Sequence, residues 1–126
     1  KTTGAWDTDA IGITGFVVTG NASKKVLVRA VGPALAPFGV TGVLVEPGLS
    51  FYIGSAVQIA QNDNWGSAGD GTLIAAAAAQ VGAFALPTGS KDAVLLLNLQ
   101  PGSYTAIASG SGSTTGVALI EVYEVP

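Results

Sequence analysis

The stretch DAVLLLNLQPGSY, residues 92–104, places a strongly apolar run directly before a Pro-Gly turn. A half-buried β-strand alternates apolar and polar side chains, and this run does not. Apolar side chains would lie on both faces of the strand: Ala93, Leu95, Leu97 and Leu99 on one, and Val94 and Leu96 on the other. The run therefore predicts a strand that is covered on both faces.

Turn signals such as Gly20-Asn21, Pro47-Gly48 and Pro101-Gly102 recur along the chain, and short runs rich in β-forming residues lie between them. Short strands separated by frequent turns are typical of antiparallel sandwiches. The sequence thus predicts an all-β fold, a jelly-roll-like antiparallel β-sandwich of about seven or eight strands. We expect strands over residues 11–19, 25–31, 49–53, 56–60, 93–99, 103–109 and 116–125.

One segment reads as a helix, LIAAAAAQV at residues 73–81, because alanine is the strongest helix former. Residues 33–38, PALAPF, predict a brief helical turn. A helix of this length spans only about 14 Å. It is too short to cover both the strand at 93–99 and the strand at 116–125, which is also apolar on both sides apart from two glutamates. We therefore expect another protein to cover part of this surface.

Charged residues are sparse, at 10% of the chain and a net charge of −3. Ordinary soluble domains contain about 25%. Weakly polar surface patches usually mark interaction sites, whereas nucleic-acid binding needs a basic stripe that the sequence lacks. The longest apolar stretch, residues 72–86, is shorter than the roughly 20 residues that a membrane span needs. Because the chain begins at Lys1 rather than Met, we expect a processed, exported polypeptide.

Four segments together resemble a known type of domain: KKVLVRAVGPALAPFGVTGVL (24–44), QNDNWG (61–66), QVGAFALPTGSKDAVLLLNLQPGSYTA (80–106) and TTGVALIEVYEV (114–125). The domain recurs in large secreted or surface proteins of environmental bacteria. It is similar in pattern to the pre-peptidase C-terminal modules of secreted peptidases. The resemblance covers most of the chain from residue 11 onward. It implies an extracellular β-sandwich with a structural or adhesive role, and it implies no catalytic residues.

The segment QNDNWGSAGDG, residues 61–71, is the most site-like part of the sequence. The carboxylates of Asp63 and Asp70 are candidate calcium ligands, since calcium prefers oxygen ligands. The spacing does not match an EF-hand loop, and Asn and Asp also form turns without a metal. Trp65 offers an alternative role as a stacking platform for a sugar. Calcium is the one cofactor that the sequence suggests, and we expect folding not to require it.

Catalytic signatures are missing from the sequence. It contains no cysteine and no histidine, and neither G-x-S-x-G nor S-x-x-K occurs. We expect that the protein is not an enzyme. Arg29, inside the strand at 25–31, is interpreted as structural, and if it is buried it needs a carboxylate partner, either Glu121 or Asp92.

The chain divides into an N-terminal extension, residues 1–12, and a single β-sandwich domain, residues 13–126. Trp6 and Ile11 give the extension apolar groups to bury, so we expect it to act as an intersubunit strand; the competing view is that it packs on its own domain. The leading hypothesis is a self-assembling subunit of an extracellular filament or cell-surface layer. The alternative is a monomeric adhesion module, binding calcium or carbohydrate, in a larger secreted protein. The predicted intersubunit contacts are Trp6, Ile11, Leu95, Leu97, Ile120 and Tyr123.

Overall fold

The computed structural model describes residues 2–8, 12–54, 56–67, 69–110 and 114–126, with residues 2–8 described by their backbone. These residues form one α-helix, α1 (Gly71–Gln80), and a 3-10 helix at Pro33–Phe38. They also form eight strands: β1 (Thr2–Thr8), β2 (Gly12–Val18), β3 (Lys24–Val31), β4 (Pro47–Ile53), β5 (Val57–Asn62), β6 (Ala93–Leu99), β7 (Gly102–Gly110) and β8 (Gly116–Val125).

The strands form two antiparallel sheets of four strands each. The first sheet has the order β1-β8-β3-β6, and the second has the order β2-β7-β4-β5. This is the strand order of a jelly roll, in which two Greek keys place the sheets face to face. The predicted all-β sandwich is confirmed. The seven predicted strands agree with β2 to β8 within two residues at each end, and the predicted helix begins two residues late.

The main core lies between the two sheets. Alternate residues of β6 and β8, such as Ala93 and Ile120, meet Leu49, Phe51 and Ala106 of the second sheet. The ring of Tyr104 stacks on that of Phe51, with 5.6 Å between the centroids. One face of the strand at 93–99 is therefore buried in a conventional sandwich core.

The second face of β6 is covered by the chain itself. Val94 packs with Leu27, Tyr123 and the helix residue Ile74, so α1 lies on the outer face of the first sheet. The helix is indeed short, but the segment that follows it and the 3-10 helix extend the same layer. Val81, Ala83 and Leu86 pack beside α1, and Ala34 and Leu35 pack with Val31. The expectation that another protein covers these faces was therefore wrong. It counted only the length of α1 and left out the segment after it and the 3-10 helix, which cover the same face.

Candidate assembly surface

Strand β1 lies at the edge of the first sheet and has a single neighbour, β8. The pairing is antiparallel and runs from Thr2 opposite Val122 to Thr8 opposite Gly116. The other side of β8 pairs with β3. Without β1, the first sheet would keep three strands, and the backbone of Gly116–Val122 would be unpaired along one side. The jelly roll thus requires a strand in this position.

The register also relates β1 to the main core. Ala118 and Ile120 of β8 are buried, at 0% and 2% exposure, and Ile120 belongs to the core between the sheets. Gly4 is opposite Ile120, and Trp6 is opposite Ala118. Directly opposite residues of an antiparallel pair share a face. Positions 4 and 6 are therefore on the core side of the first sheet.

The predicted contact residues separate into two groups. Trp6 and Ile120 lie on adjoining strands, and Tyr123 lies beneath α1, one residue beyond the β1 pairing. Leu95 and Leu97 are half-buried on β6, at the opposite edge of the same sheet. Ile11 lies outside the described residues. An intersubunit role for this set stays a prediction.

Three residues beneath the outer layer form a buried polar network. The Nε atom of Arg29 lies 3.0 Å from Oε1 of Glu121, with side-chain exposures of 0% and 3%. Nη1 of Arg29 donates a hydrogen bond to the carbonyl oxygen of Phe84, and the guanidinium lies 4.5 Å from the centre of the Phe84 ring. The hydroxyl of Tyr123 donates to Oε2 of Glu121 at 2.6 Å. Of the two carboxylates expected to pair with Arg29, Glu121 is therefore the one that forms the ion pair.

This network changes the acidity of Tyr123. Burial, followed by the hydrogen bond to Glu121 and the negative charge of that carboxylate, raises the pKa of the Tyr123 phenol to about 12. The Arg29 charge acts in the opposite direction. The phenol therefore stays protonated well above neutral pH and keeps its hydrogen bond to Glu121.

Asp92 is a second buried carboxylate, and it joins two of the segments that carry the family resemblance. Its Oδ1 accepts hydrogen bonds from the backbone N–H groups of Gly32 and Ala34, and its Oδ2 accepts one from the Ser90 hydroxyl. Position 32 tolerates only glycine, because a Cβ atom there would collide with the carbonyl of Leu44. The motifs VRAVGPAL and GSKDA thus hold the 3-10 helix on the sheet. The sequence interpretation missed this role of Asp92.

The loop at 61–71 is tied to the segment that leads into β6. The indole N–H of Trp65 donates to the carbonyl of Pro87 and to the Ser90 hydroxyl. Oδ1 of Asn62 accepts from the backbone N–H of Val94. An open groove of about 440 Å³ runs along this loop, lined by uncharged residues: Asn64, Trp65, Gly66, Ser67, Gly71, Thr88, Gly89 and Ser90.

The two predicted calcium ligands lie on the same loop. Asp63 is exposed, and its carboxylate accepts a hydrogen bond from the side chain of Asn64. Asp70 precedes α1 but makes no capping hydrogen bond with its side chain. Among the described residues, no group of three or more acidic, histidine or cysteine side chains could hold a metal ion. Calcium binding stays a prediction.

Comparison with known proteins agrees with the fold. No model of a protein family matches the sequence, and no curated protein is recognisably similar to it. The structure is similar to the crystal structure of the pre-peptidase C-terminal domain of a collagenase from Bacillus anthracis. The TM-score is 0.56 at 12% identity, and the similarity covers 97% of this chain and 88% of that chain. The likeness to pre-peptidase C-terminal modules is thus confirmed for the fold.

The described helices also bear on the membrane question. Neither of them is long and apolar enough to cross a membrane. The longer of the two, α1, has ten residues, and its buried side chains pack on the first sheet.

Proposed function

We propose that the protein is a non-catalytic, self-assembling subunit of an extracellular filament or cell-surface layer, a homopolymer in which β1 of one copy pairs with β8 of the next. The observation that carries the proposal is the edge position of β1, which completes the sheet through one neighbour only. The backbone register that β1 makes with its own β8 is equally available to β1 of a neighbouring copy.

The link between β1 and β2 sets the geometry of such an exchange. Only three residues, 9–11, separate the end of β1 in one sheet from the start of β2 in the other. A link of this length spans at most about 14 Å. Donor and acceptor subunits would therefore touch directly. Because the donated strand and the accepting edge are different surfaces, the contact is heterologous and leads to an open polymer unless the rotation closes a ring.

The scarcity of surface charge supports the same proposal. The chain has five basic and eight acidic residues, and Arg29, Asp92 and Glu121 are buried. A weakly charged surface lowers the repulsion between identical subunits at close distance. Location outside the cell rests on the resemblance to secreted and surface proteins and is part of the proposal.

Disulfide trapping distinguishes exchange between copies from pairing within one chain, because the natural sequence contains no cysteine. Ala5 and Leu119 are directly opposite in the β1–β8 register. In oxidised assemblies of the Ala5→Cys/Leu119→Cys variant, we expect a ladder of covalent multimers on a denaturing gel. The matched control, Lys25→Cys/Asn98→Cys, joins β3 to β6 within one chain and should give monomers. Monomers from both variants would refute the exchange.

Truncation tests whether polymerisation needs the N-terminal extension, residues 1–12. Deleting residues 1–10, or changing Trp6→Ala, should abolish polymers that the full chain forms, as measured by sedimentation and negative-stain microscopy. A peptide of residues 1–10 should then bind the truncated chain with one peptide per chain, because it restores the missing strand. A truncated chain that polymerises as well as the full chain would place the contact elsewhere on the sandwich.

A monomeric binding module in a larger protein is the second candidate, favoured by the groove beside Trp65 and by the likeness to the pre-peptidase C-terminal domain of a collagenase. Polar uncharged groups around an indole are what carbohydrate recognition uses. If sedimentation finds only a 12.4 kDa species, titration with oligosaccharides, with Trp65→Ala as the control, tests this candidate.

A further inference from the structure

In the part of the chain that the structure describes, no layer covers the outer face of the second sheet. Phe16 and Val18 of β2 face the core, so the alternate residues Ile13 and Val17 face outward, with exposures of 66% and 64%. In β7, Tyr104 also faces the core, so the adjacent residues Ser103 and Thr105 face outward. Among the described residues, the hydrophobic clusters that contain α1 and the 3-10 helix include strands of the first sheet and no strand of the second.

This face carries no charge. None of the residues of β2, β7, β4 and β5 is charged. Among residues 12–126, the exposed charges described lie instead at the start of β3, at the end of β8 and in the loops, as with the Lys91–Glu46 and Lys24–Glu124 ion pairs. An uncharged sheet face can be buried without the desolvation cost that unpaired charges impose.

We infer that this face, defined by the outward residues of β2, β7 and β4, is a lateral contact with a second copy of the chain. Its polar side chains are those of Ser50, Tyr52, Ser103, Thr105 and Ser109. The hydroxyls of Tyr52 and Thr105 already donate to Gln58 and to the carbonyl of Gly54 in the same chain. All five hydroxyls can still accept a hydrogen bond, and those of the three serines can also donate one. The face is therefore complementary to itself, as an isologous contact requires. A partner protein with a charged surface would leave its charges unpaired on this face.

The size of the face determines when the contact forms. The three strands of this face at their usual spacing, each about seven residues long, give a footprint of about 350 Å². Stable complexes bury about 800 Å² on each partner. A single pair of subunits would therefore associate weakly. Repetition along a polymer multiplies the contact, so that two polymers associate side by side. The inference rests on the proposed self-assembly for this setting.

Charge placed on the face tests the inference. The variant Ile13→Lys/Val17→Lys adds two positive charges to exposed positions, and folding should be unaffected. The control, Val45→Lys/Leu73→Lys, adds the same charge at positions that are also exposed, at 52% and 65%, but lie off this face. By electron microscopy, wild type and control should form polymers that associate side by side, whereas the face variant should form single polymers. Equal association in all three, or equal loss in both variants, would overturn the inference.

The outer face can be tested even if the proposed function is wrong. If wild type forms no polymer, the β1 exchange fails, and the face is tested by sedimentation equilibrium at about 1 mM, where millimolar affinity is detectable. Wild type and control should then show dimers that the face variant lacks, and a monomer for all three would overturn the inference. Because the face is uncharged, added NaCl should not disperse the association. Dispersal by NaCl would assign the contact to charged surfaces instead.

Discussion

The two sheets have outer faces of opposite character. On the first sheet, apolar side chains such as Val94 and Leu27 are fully buried beneath α1. On the second sheet, the outward side chains of Ile13 and Val17 are about two-thirds exposed. The four strands of that sheet contain no charged residue. Apolar residues on an outer face thus do not by themselves indicate a partner, since the chain can cover them. The combination of exposure with missing charge distinguishes the second sheet.

Polar interactions also differ between the two faces. The covered face contains a buried ion pair, Arg29–Glu121, whose arginine also binds the carbonyl of Phe84 in the covering segment. Asp92 similarly binds the start of the 3-10 helix. The covering layer is therefore fixed by specific polar contacts as well as by apolar packing. The polar side chains on the outer face of the second sheet are hydroxyls and amides instead.

Breaking the buried ion pair should have the largest effect. Arg29→Met leaves the carboxylate of Glu121 buried beside an apolar side chain, which should lower the free energy of unfolding by about 3–5 kcal/mol. Denaturant-induced unfolding followed by tryptophan fluorescence measures this loss. The double variant Arg29→Met/Glu121→Leu should recover part of it, because no charge is left unpaired, although the Tyr123 hydroxyl loses its bond to Glu121 and the Phe84 carbonyl its bond to Arg29.

An exposed ion pair provides the control for that experiment. Lys91 lies 2.7 Å from Glu46, with side-chain exposures of 58% and 43%, and the carboxylate raises the pKa of the lysine. Lys91→Met should leave stability nearly unchanged, because water and salt screen exposed pairs. Similar losses for Lys91→Met and Arg29→Met would mean that burial does not distinguish the two pairs.

Sequence patterns predicted the parts of the fold that depend on local residues. The strands from β2 to β8 follow from β-forming runs between turns, and α1 follows from consecutive alanines. For strand β1, TTGAWDT, pairing within the chain's own sheet was only the competing view, because the segment lacks alternation and its pairing with β8 joins distant parts of the chain. The role of Asp92 was missed for a related reason, since its partners lie about 60 residues away.

The candidate site was predictable to a similar extent. An intersubunit strand was proposed from Trp6 and Ile11, and the structure adds the register in which this segment pairs with the chain's own β8. Tyr123 and Ile120 were singled out as apolar residues without visible cover. Both are buried, by α1 and by the core between the sheets respectively. The sequence could not separate residues that its own chain covers from those that stay exposed, because that depends on tertiary packing.

Raising the pH should lower the free energy of unfolding through Tyr123, which lies beneath α1. The phenol of Tyr123 has an ordinary pKa of 10.0, which the fold raises to about 12. A raised pKa means that the protonated form is stabilised by folding, so this contribution is complete below pH 10 and is lost as the pH rises toward 12. The loss should be about 2–3 kcal/mol, since one pKa unit corresponds to about 1.4 kcal/mol.

The variant Tyr123→Phe isolates this contribution from other groups that titrate in alkali. The difference in unfolding free energy between wild type and variant should shrink as the pH rises from 10 toward 12. A difference that stays constant over that range would mean that Tyr123 does not couple to folding through its proton.

A matched pair of valines compares the two outer faces most directly. Val94 of β6 is 1% exposed beneath α1, and Val17 of β2 is 64% exposed on the second sheet. Val94→Ala should lower the free energy of unfolding by about 2 kcal/mol, because it removes two buried carbons and leaves a small cavity. Val17→Ala should change it by less than about 0.5 kcal/mol. Both are measured in a Trp6→Ala background, which keeps the chain monomeric if β1 joins the subunits.

Equal losses for the two valines in the monomer would remove the distinction between a covered and an uncovered face. The distinction sharpens when the same variants are measured in the assembled protein. If the outer face of the second sheet is a lateral contact, Val17 becomes buried only between polymers, and Val17→Ala should then weaken side-by-side association without changing the stability of the monomer. Val94→Ala should act in the opposite way, because α1 covers Val94 in the isolated chain and an added neighbour gives it no further contact.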